Sequence, residues 1–499
     1  MADRFPSQII HTESHHDHWY NCHEILYFFK NKSCIIDNDN RNNDEDVIVE
    51  GSKVEFLWSS EVTGFRHLYK IAVEIGEFPK KMQLMDEEKS MEKKNQESNH
   101  EVKARLLTNH QLTNGNWEVS ESMYWVDQQN GLIYFLGTRD SPLENHLYVI
   151  SSSQSSRIAP RRLSKEDFTH TRIVFDPEFR FCIDFQSNVS IPPFIYLHRL
   201  SAPTDNPSHI NLEPQYIFLN LPDDIRVEDS MEYYEKVQIL GPTPHLFECK
   251  LRSGELIYGF LFKPEFMEPG FKYPVLLEIY GGPEVQSVTK SFKDLRCHRR
   301  HLIASEGYIV VGFDSRGSKH RGVEFEKHIY KRLGQVEIDD QVEALQWLAD
   351  NTGFIDMNRV AIHGWSFGGY LSLMALVKRP DVFKCAIAGA PVTNWLLYDT
   401  GYTERYMGLP SENEENYRRS SILSYIKHFP NEYNRLLIIH GLMDENVHFC
   451  HTAQLIQGLV MAGKPYQLSI YPYERHSLKK INSAEHVEAT LIHYLQQNL

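Results

Sequence analysis

The chain has 499 residues, more than one ordinary hydrophobic core accommodates, so two domains are expected. Its 52 Lys and Arg against 67 Asp and Glu leave a formal charge of −15, and no stripe of basic residues with interleaved aromatics occurs, which argues against nucleic acid as a partner. Apolar content of 41% and aromatic content of 12% are globular values, and seven scattered cysteines without a C-x-x-C pair fit free thiols in a reducing compartment rather than a disulfide framework.

The N-terminus, Met1 to Pro6, lacks the apolar core of a signal peptide, and no apolar run is long enough to cross a membrane. A cytoplasmic protein without membrane contact is expected. His11, His15, His16, His18 and His23 cluster near the start, but His23-Glu24-Ile25-Leu26-Tyr27 breaks the H-E-x-x-H zinc pattern at Tyr27. A polar loop is therefore expected there, with no metal.

Residues 1–235 are rich in short β patterns. Val54 to Trp58 leads through a polar turn to His67 to Ile71, and Leu132 to Gly137 leads past Ser141-Pro142 to His146 to Ile150. Pro192 to Ile195 continuing into Tyr196 to Leu200 reads as a third unit of the same kind. This loose repeat predicts consecutive blades of a partial β-propeller, with an irregular β-sandwich as the alternative. The polar inserts Asp37 to Asp46 and Met85 to Glu101 read as solvated loops.

Residues 236–499 change character. Phe247 to Leu251 and Leu256 to Phe262 flank Ser253-Gly254 as a hairpin. Near-continuous apolar strands then alternate with helical spans: Pro274 to Tyr280, Tyr308 to Phe313, Arg359 to Trp365, Cys385 to Gly389, Leu436 to His440 and Gln467 to Tyr471. Val336 to Asp350 and Thr452 to Ala462 show helical spacing. That alternation predicts a mostly parallel, doubly wound sheet covered on both faces.

Within it, Gly364-Trp365-Ser366-Phe367-Gly368-Gly369 runs from a strand into the helical pattern Tyr370 to Val377. A strand-to-helix turn this tight pushes the serine hydroxyl out over the sheet edge. Its glycines allow close approach, and the helix N-terminus aims N–H groups at a developing oxyanion. This is the serine elbow of an α/β hydrolase. A serine needs a histidine to take its proton and a carboxylate to orient that histidine, and in this fold they follow in the order Ser, acid, His at later strand ends. Asp444 and His476 stand at those places, so Ser366, Asp444 and His476 are the candidate triad, with Glu445 and His448 as neighbouring competitors. The oxyanion hole would combine the Phe367 N–H with a donor from the loop Tyr280-Gly281-Gly282-Pro283. There Tyr280 either offers its phenol or packs the strand end. Buried charge pairing is expected around Asp314-Ser315-Arg316.

At these residues the chain resembles the prolyl oligopeptidase clan of serine peptidases, in its dipeptidyl peptidase IV branch. Gly364 to Gly369 is similar to the branch motif G-W-S-Y-G-G, and Asp399 to Met407 and His440 to Phe449 match closely. Ala388 to Thr393 and Ala462 to Leu468 make it most similar to the cytosolic members. The resemblance implies release of N-terminal dipeptides whose second residue is proline or, less well, alanine. It implies a proline pocket lined by Val392, Trp395, Tyr398, Tyr402 and Val447, an Asn446 that binds a substrate carbonyl, and no cofactor. It also implies a homodimer formed through the hydrolase domain. An apolar aromatic slot suits a pyrrolidine ring, which offers no N–H.

The chain departs from the family pattern at Phe367, where the branch has tyrosine. No segment matches the Glu-Glu pair with which the family's earlier blades clamp the substrate ammonium; Asp86-Glu87-Glu88 lies in a Lys/Glu-rich insert. The expectation is of later blades plus a hydrolase domain, with dipeptide processing weakened by the missing clamp. A non-catalytic binding or regulatory relative, or an acyl-peptide or endo-type hydrolase, is the alternative.

Overall fold

The computed structural model describes Trp19, Asn21 and residues 24–29, 52–76, 103–153, 159–201, 206–218, 243–293 and 295–499. The histidine cluster, both polar inserts, Asp86-Glu87-Glu88 and the expected domain boundary at 235/236 lie outside the described residues.

The first half forms three four-stranded antiparallel meanders. The first comprises β1 (Leu26–Phe29), β2 (Ser52–Ser60), β3 (His67–Gly76) and β4 (Lys103–Gln111). The second comprises β5 (Val119–Asp127), β6 (Leu132–Gly137), β7 (His146–Ser151) and β8 (Arg161–Arg162). The third comprises β9 (Thr169–Phe175), β10 (Phe181–Ser187), β11 (Phe194–Leu200) and β12 (Leu212–Phe218). In each, neighbours in the sheet are neighbours in the chain, which is the arrangement of propeller blades and not of a two-sheet sandwich.

The strand β6 shows why its sequence is apolar throughout. Ile133 and Phe135 point to one side, into a cluster with Leu57 and Leu68 of the first blade and Trp117 of the connection that follows it. Leu132, Tyr134 and Leu136 point to the other, against Ile173, Cys182 and Leu200 of the third. A blade between two blades is buried on both faces, so strand alternation disappears from its sequence. One expected unit is corrected: of Pro192 to Leu200 only Phe194 to Leu200 forms a strand, β11, and its hairpin partner is β10, because two adjacent prolines cannot join the ladder.

The second half is one eight-stranded sheet in the order β13-β14-β16-β15-β17-β18-β19-β20. Its strands are β13 (His245–Lys250), β14 (Leu256–Phe262), β15 (Tyr273–Glu278), β16 (Ile309–Asp314), β17 (Ile355–Trp365), β18 (Cys385–Gly389), β19 (Leu436–Gly441) and β20 (Gln467–Tyr471). The pairs β13/β14 and β14/β16 are antiparallel, and from β16 to β20 every pair is parallel.

Alternate residues of the central strands feed two cores. Val275, Leu277, Val360, Ile362 and Ile438 face the helices Val336–Thr352, Phe367–Lys378 and Cys450–Met461. Leu276, Val310, Ala361, Ile387 and Ile439 face Leu295–Ser305 and Ile481–Asn498. The last two helices and Thr400–Met407 were not among the expected elements.

Blades and hydrolase meet through backbone groups as well as side chains. The Val323 N–H donates to the Gly64 carbonyl at 2.8 Å and the Lys290 N–H to the Leu143 carbonyl at 2.9 Å. The Gly322 N–H donates to Glu118 Oε1 at 2.8 Å. Around Asp314 to Arg316 charge pairing does occur, but with a distant partner: Arg316 Nη2 meets Asp340 Oδ1 at 2.6 Å, while Asp314 accepts the Ser287 and Val288 N–H groups.

Candidate active site

The strand β17 delivers Ser366 to the carboxyl edge of the sheet, where the strand order reverses and open α/β sheets place their ligands. Ser366 has φ 61° and ψ −116° and is followed at once by the helix Phe367–Lys378. A non-glycine residue in this region is strained, and the surroundings hold it. Its N–H donates to the Gly389 carbonyl at 2.8 Å. A Cβ on Gly364 would overlap the backbone of Gly368, one on Gly368 would overlap the Ile279 carbonyl oxygen, and one on Gly369 would overlap the Gly389 carbonyl oxygen. Each collision is with backbone, so a side chain at any of the three would open the elbow.

Asp444 follows β19 and His476 follows β20. The buried Asp444 accepts the His476 ring at 2.8 Å from Nδ1 to Oδ2, and its Oδ1 accepts the N–H groups of Asn446 at 3.0 Å and Val447 at 2.9 Å. His440 Nε2 lies 3.2 Å from Oδ2 and 2.9 Å from the Val447 carbonyl, while its Nδ1 meets Thr452 Oγ1 at 2.7 Å. An acceptor at Nε2 requires the proton there, so Thr452 donates to Nδ1. Burial alone would raise the Asp444 pKa; hydrogen bonds from His440 and His476, the His476 charge and the Asn446 N–H outweigh it and hold the carboxyl well below its ordinary value. A depressed carboxylate pKa stabilises the fold at pH above the unfolded value and loses that contribution as pH falls through the folded one. The acid limb of a stability–pH curve should therefore flatten in Asp444→Asn, as followed by urea unfolding.

The competitors separate. Glu445 is exposed, takes the His476 backbone N–H at 3.3 Å and lies 3.8 Å from Arg475, so it supports the loop rather than the ring. His448 lines the cleft beside His476. Trp365, inside the elbow motif, donates its indole N–H to the His476 carbonyl at 2.8 Å and so ties the histidine loop to the serine strand.

Tyr280 lies in the loop just beyond β15, largely buried, and burial raises its phenol pKa. Its ring lies 6.2 Å from that of Phe367. The Phe367 N–H belongs to the first helical turn, whose N–H groups have no intrahelical acceptor. The Phe367 side chain is buried against Tyr370 and Trp395, a setting in which an apolar ring leaves no hydroxyl to satisfy.

The expected pocket residues converge. Tyr402 stacks on Trp395 at 6.2 Å and 14°, and Tyr398 stands edge-on to Tyr402 at 5.3 Å. Val392 and Val447 are buried in the same cluster as Trp395. Tyr398 donates its hydroxyl to Asn446 Oδ1 at 2.7 Å, which leaves the Asn446 amide as the free donor. A cleft of about 570 Å³ opens here, lined by Tyr398, Asp399, Glu445, Asn446, His448 and His476 among others. Among the described residues no cluster of His, Cys, Asp or Glu has metal-binding geometry.

Beneath the site, Glu278 at the end of β15 accepts from Arg299 Nη2 at 2.8 Å and Arg300 Nε at 2.6 Å. Burial raises the Glu278 pKa, but Arg299 and Arg300 outweigh it and hold the carboxyl well below its usual range. Neither this pair of arginines nor His440 nor the Trp365 bond was found from the sequence. A polar residue at a strand end reads alike whether it is paired or solvated.

A mostly parallel sheet with a serine elbow at its carboxyl edge, preceded by four-stranded blades, defines an α/β hydrolase with a propeller domain. The Prolyl oligopeptidase family profile matches residues 293–499, and that of the Dipeptidyl peptidase IV N-terminal region matches residues 4–193. Over 508 aligned residues the chain is 43% identical to dipeptidyl peptidase 8 of Mus musculus and 42% to that of Homo sapiens, covering 100% of this chain and 52% and 51% of those proteins. It is 40% identical over 279 residues to dipeptidyl peptidase 4 of Sus scrofa, covering 55% of this chain and 36% of that protein. The chain belongs to the prolyl oligopeptidase family, in its dipeptidyl peptidase IV branch, and spans about half the length of the dipeptidyl peptidase 8 relatives.

Proposed function

We propose that this chain is a serine peptidase that releases N-terminal dipeptides with proline, or less well alanine, in second position. The observation that carries the reading is the 2.8 Å bond from His476 to the buried Asp444 on the loops next to the strained elbow of Ser366. In this reading Asp444 keeps the imidazole proton on Nδ1, so Nε2 is free to take the Ser366 proton as the hydroxyl attacks the scissile carbonyl. The Phe367 N–H and the Tyr280 phenol take the oxyanion. His476 then returns the proton to the leaving amine, and water repeats the sequence to release the dipeptide.

The aromatic slot formed by Trp395, Tyr398 and Tyr402 with Val392 and Val447 takes the proline ring, and the free Asn446 amide donates to a substrate carbonyl. The two-domain division near residue 235, a cytoplasmic setting and a homodimer through the hydrolase domain belong to the same reading and rest on the family likeness.

Two measurements test it. Turnover of Ala-Pro and N-acetyl-Ala-Pro chromogenic substrates separates a dipeptidyl peptidase, which needs the free amine, from an acyl-peptide or endo-type hydrolase, which does not. Tyr280→Phe removes one oxyanion donor and no packing, so kcat should fall on the order of 10²–10³ with KM little changed. An unaltered kcat would assign Tyr280 to packing alone.

A further inference from the structure

We infer that Trp19, from the segment ahead of the first blade, is a positioning residue for the proline pocket; this rests on the proposed function. Trp19 is 6% exposed and stands edge-on to Tyr406, with ring centroids 5.0 Å apart at 81°. Tyr406 lies 4.7 Å from Tyr402, the residue that stacks on Trp395. A continuous line of rings therefore runs from the propeller half into the pocket wall. Trp19 is in ring contact with two hydrolase aromatics, Tyr406 and Tyr330.

The indole is held in orientation as well as in place. Its N–H donates to Asn21 Oδ1 at 2.8 Å. The Asn21 amide donates to Glu61 Oε2 at 3.0 Å, to Glu61 Oε1 at 3.3 Å and to Glu326 Oε2 at 3.3 Å. Glu61 belongs to the turn after β2 and Glu326 to the hydrolase half, so one amide clips the two halves together. Glu61 and Glu326 are both buried, and Arg66 Nη2 lies 3.1 Å from Glu61 Oε1.

A buried network of mutually paired polar groups has few alternative arrangements, because each displaced group loses a partner away from water. The amide is thereby pinned, the indole with it, and Tyr406 and Tyr402 behind the indole. A pocket wall fixed before substrate arrives spares the ordering cost at binding, so the consequence falls on KM for proline substrates and not on the chemistry at Ser366.

The test uses the 499-residue chain with Trp19→Leu and Trp19→Phe, and kinetics normalised to sites titrated by a fluorophosphonate. Trp19→Leu should raise KM for Gly-Pro-p-nitroanilide roughly ten- to a hundredfold. Its kcat and its rate of fluorophosphonate labelling should stay within about twofold. Trp19→Phe keeps a ring edge on Tyr406 and should recover most of the KM. A wild-type KM in Trp19→Leu overturns the inference, as does a parallel loss of labelling rate in both variants, which would mark Trp19 as a general fold residue. A wild-type chain that labels yet leaves Gly-Pro-p-nitroanilide uncleaved overturns the proposed function, and this inference with it.

Discussion

Replacing Asp444 by Asn should lower kcat by about 10⁴ while leaving its loop in place. The amide oxygen can still accept the N–H groups of Asn446 and Val447 that Oδ1 now accepts. The amide nitrogen then faces His476 Nδ1, where Oδ2 stands 2.8 Å away in the native chain. A donor at that place forces the imidazole proton onto Nε2, the nitrogen that has to receive the serine proton, and the base is lost by tautomer rather than by position. Ser366→Ala should go further and abolish both fluorophosphonate labelling and turnover. Single-turnover kinetics on Gly-Pro-p-nitroanilide, with folding checked by circular dichroism, measure both effects. Normal turnover in Ser366→Ala would remove Ser366 as nucleophile, and a fall of less than tenfold in Asp444→Asn would pass the orienting role to another acid, of which Glu445 is the nearest in sequence.

The second large effect concerns stability. Glu278→Gln should destabilise the hydrolase half by about 3–5 kcal/mol, read as a lowered urea midpoint, because it leaves buried guanidinium charge without its carboxylate. Arg300 is the guanidinium left without a carboxylate: 8% accessible, it donates to Glu278 Oε2 and lies 3.9 Å from the centre of the Phe260 ring. Arg299 keeps a second carboxylate, Glu488, at 3.5 Å. The loss should therefore be largely recovered by the pair Glu278→Leu with Arg300→Met, which removes the charge together with its counter-charge. If Glu278→Gln alone unfolds at the native midpoint, the cluster contributes no net stability and its role is only to align β15 with the helices Leu295–Ser305 and Ile481–Asn498.

The elbow was legible because its requirements are local. Three glycines that must carry no side chain, an apolar strand before and a helical pattern after all fall within one short stretch, and the chain has no other way to satisfy them. The parallel strands were legible for a related reason. A sheet covered on both faces needs apolar residues on both, and β15, β16, β18 and β19 are buried at every position. The order of Ser366, Asp444 and His476 followed from strand order, since each stands just beyond the end of a strand that could be read.

What the amino acids alone left open was decided by side chains brought together from far apart. Asp444 and Glu445 are adjacent and chemically alike, and only the path of the loop after β19 turns the first inward to His476 and the second out to solvent. His440 reads as the last residue of a strand until the fold sets it 3.2 Å from Asp444. The Glu278 cluster joins a strand to two helices, and Trp19 reaches Tyr406 across most of the chain. A local pattern constrains backbone geometry, which repeats every few residues. A buried polar or aromatic contact depends on where two remote segments come to rest, and no spacing in the sequence encodes that.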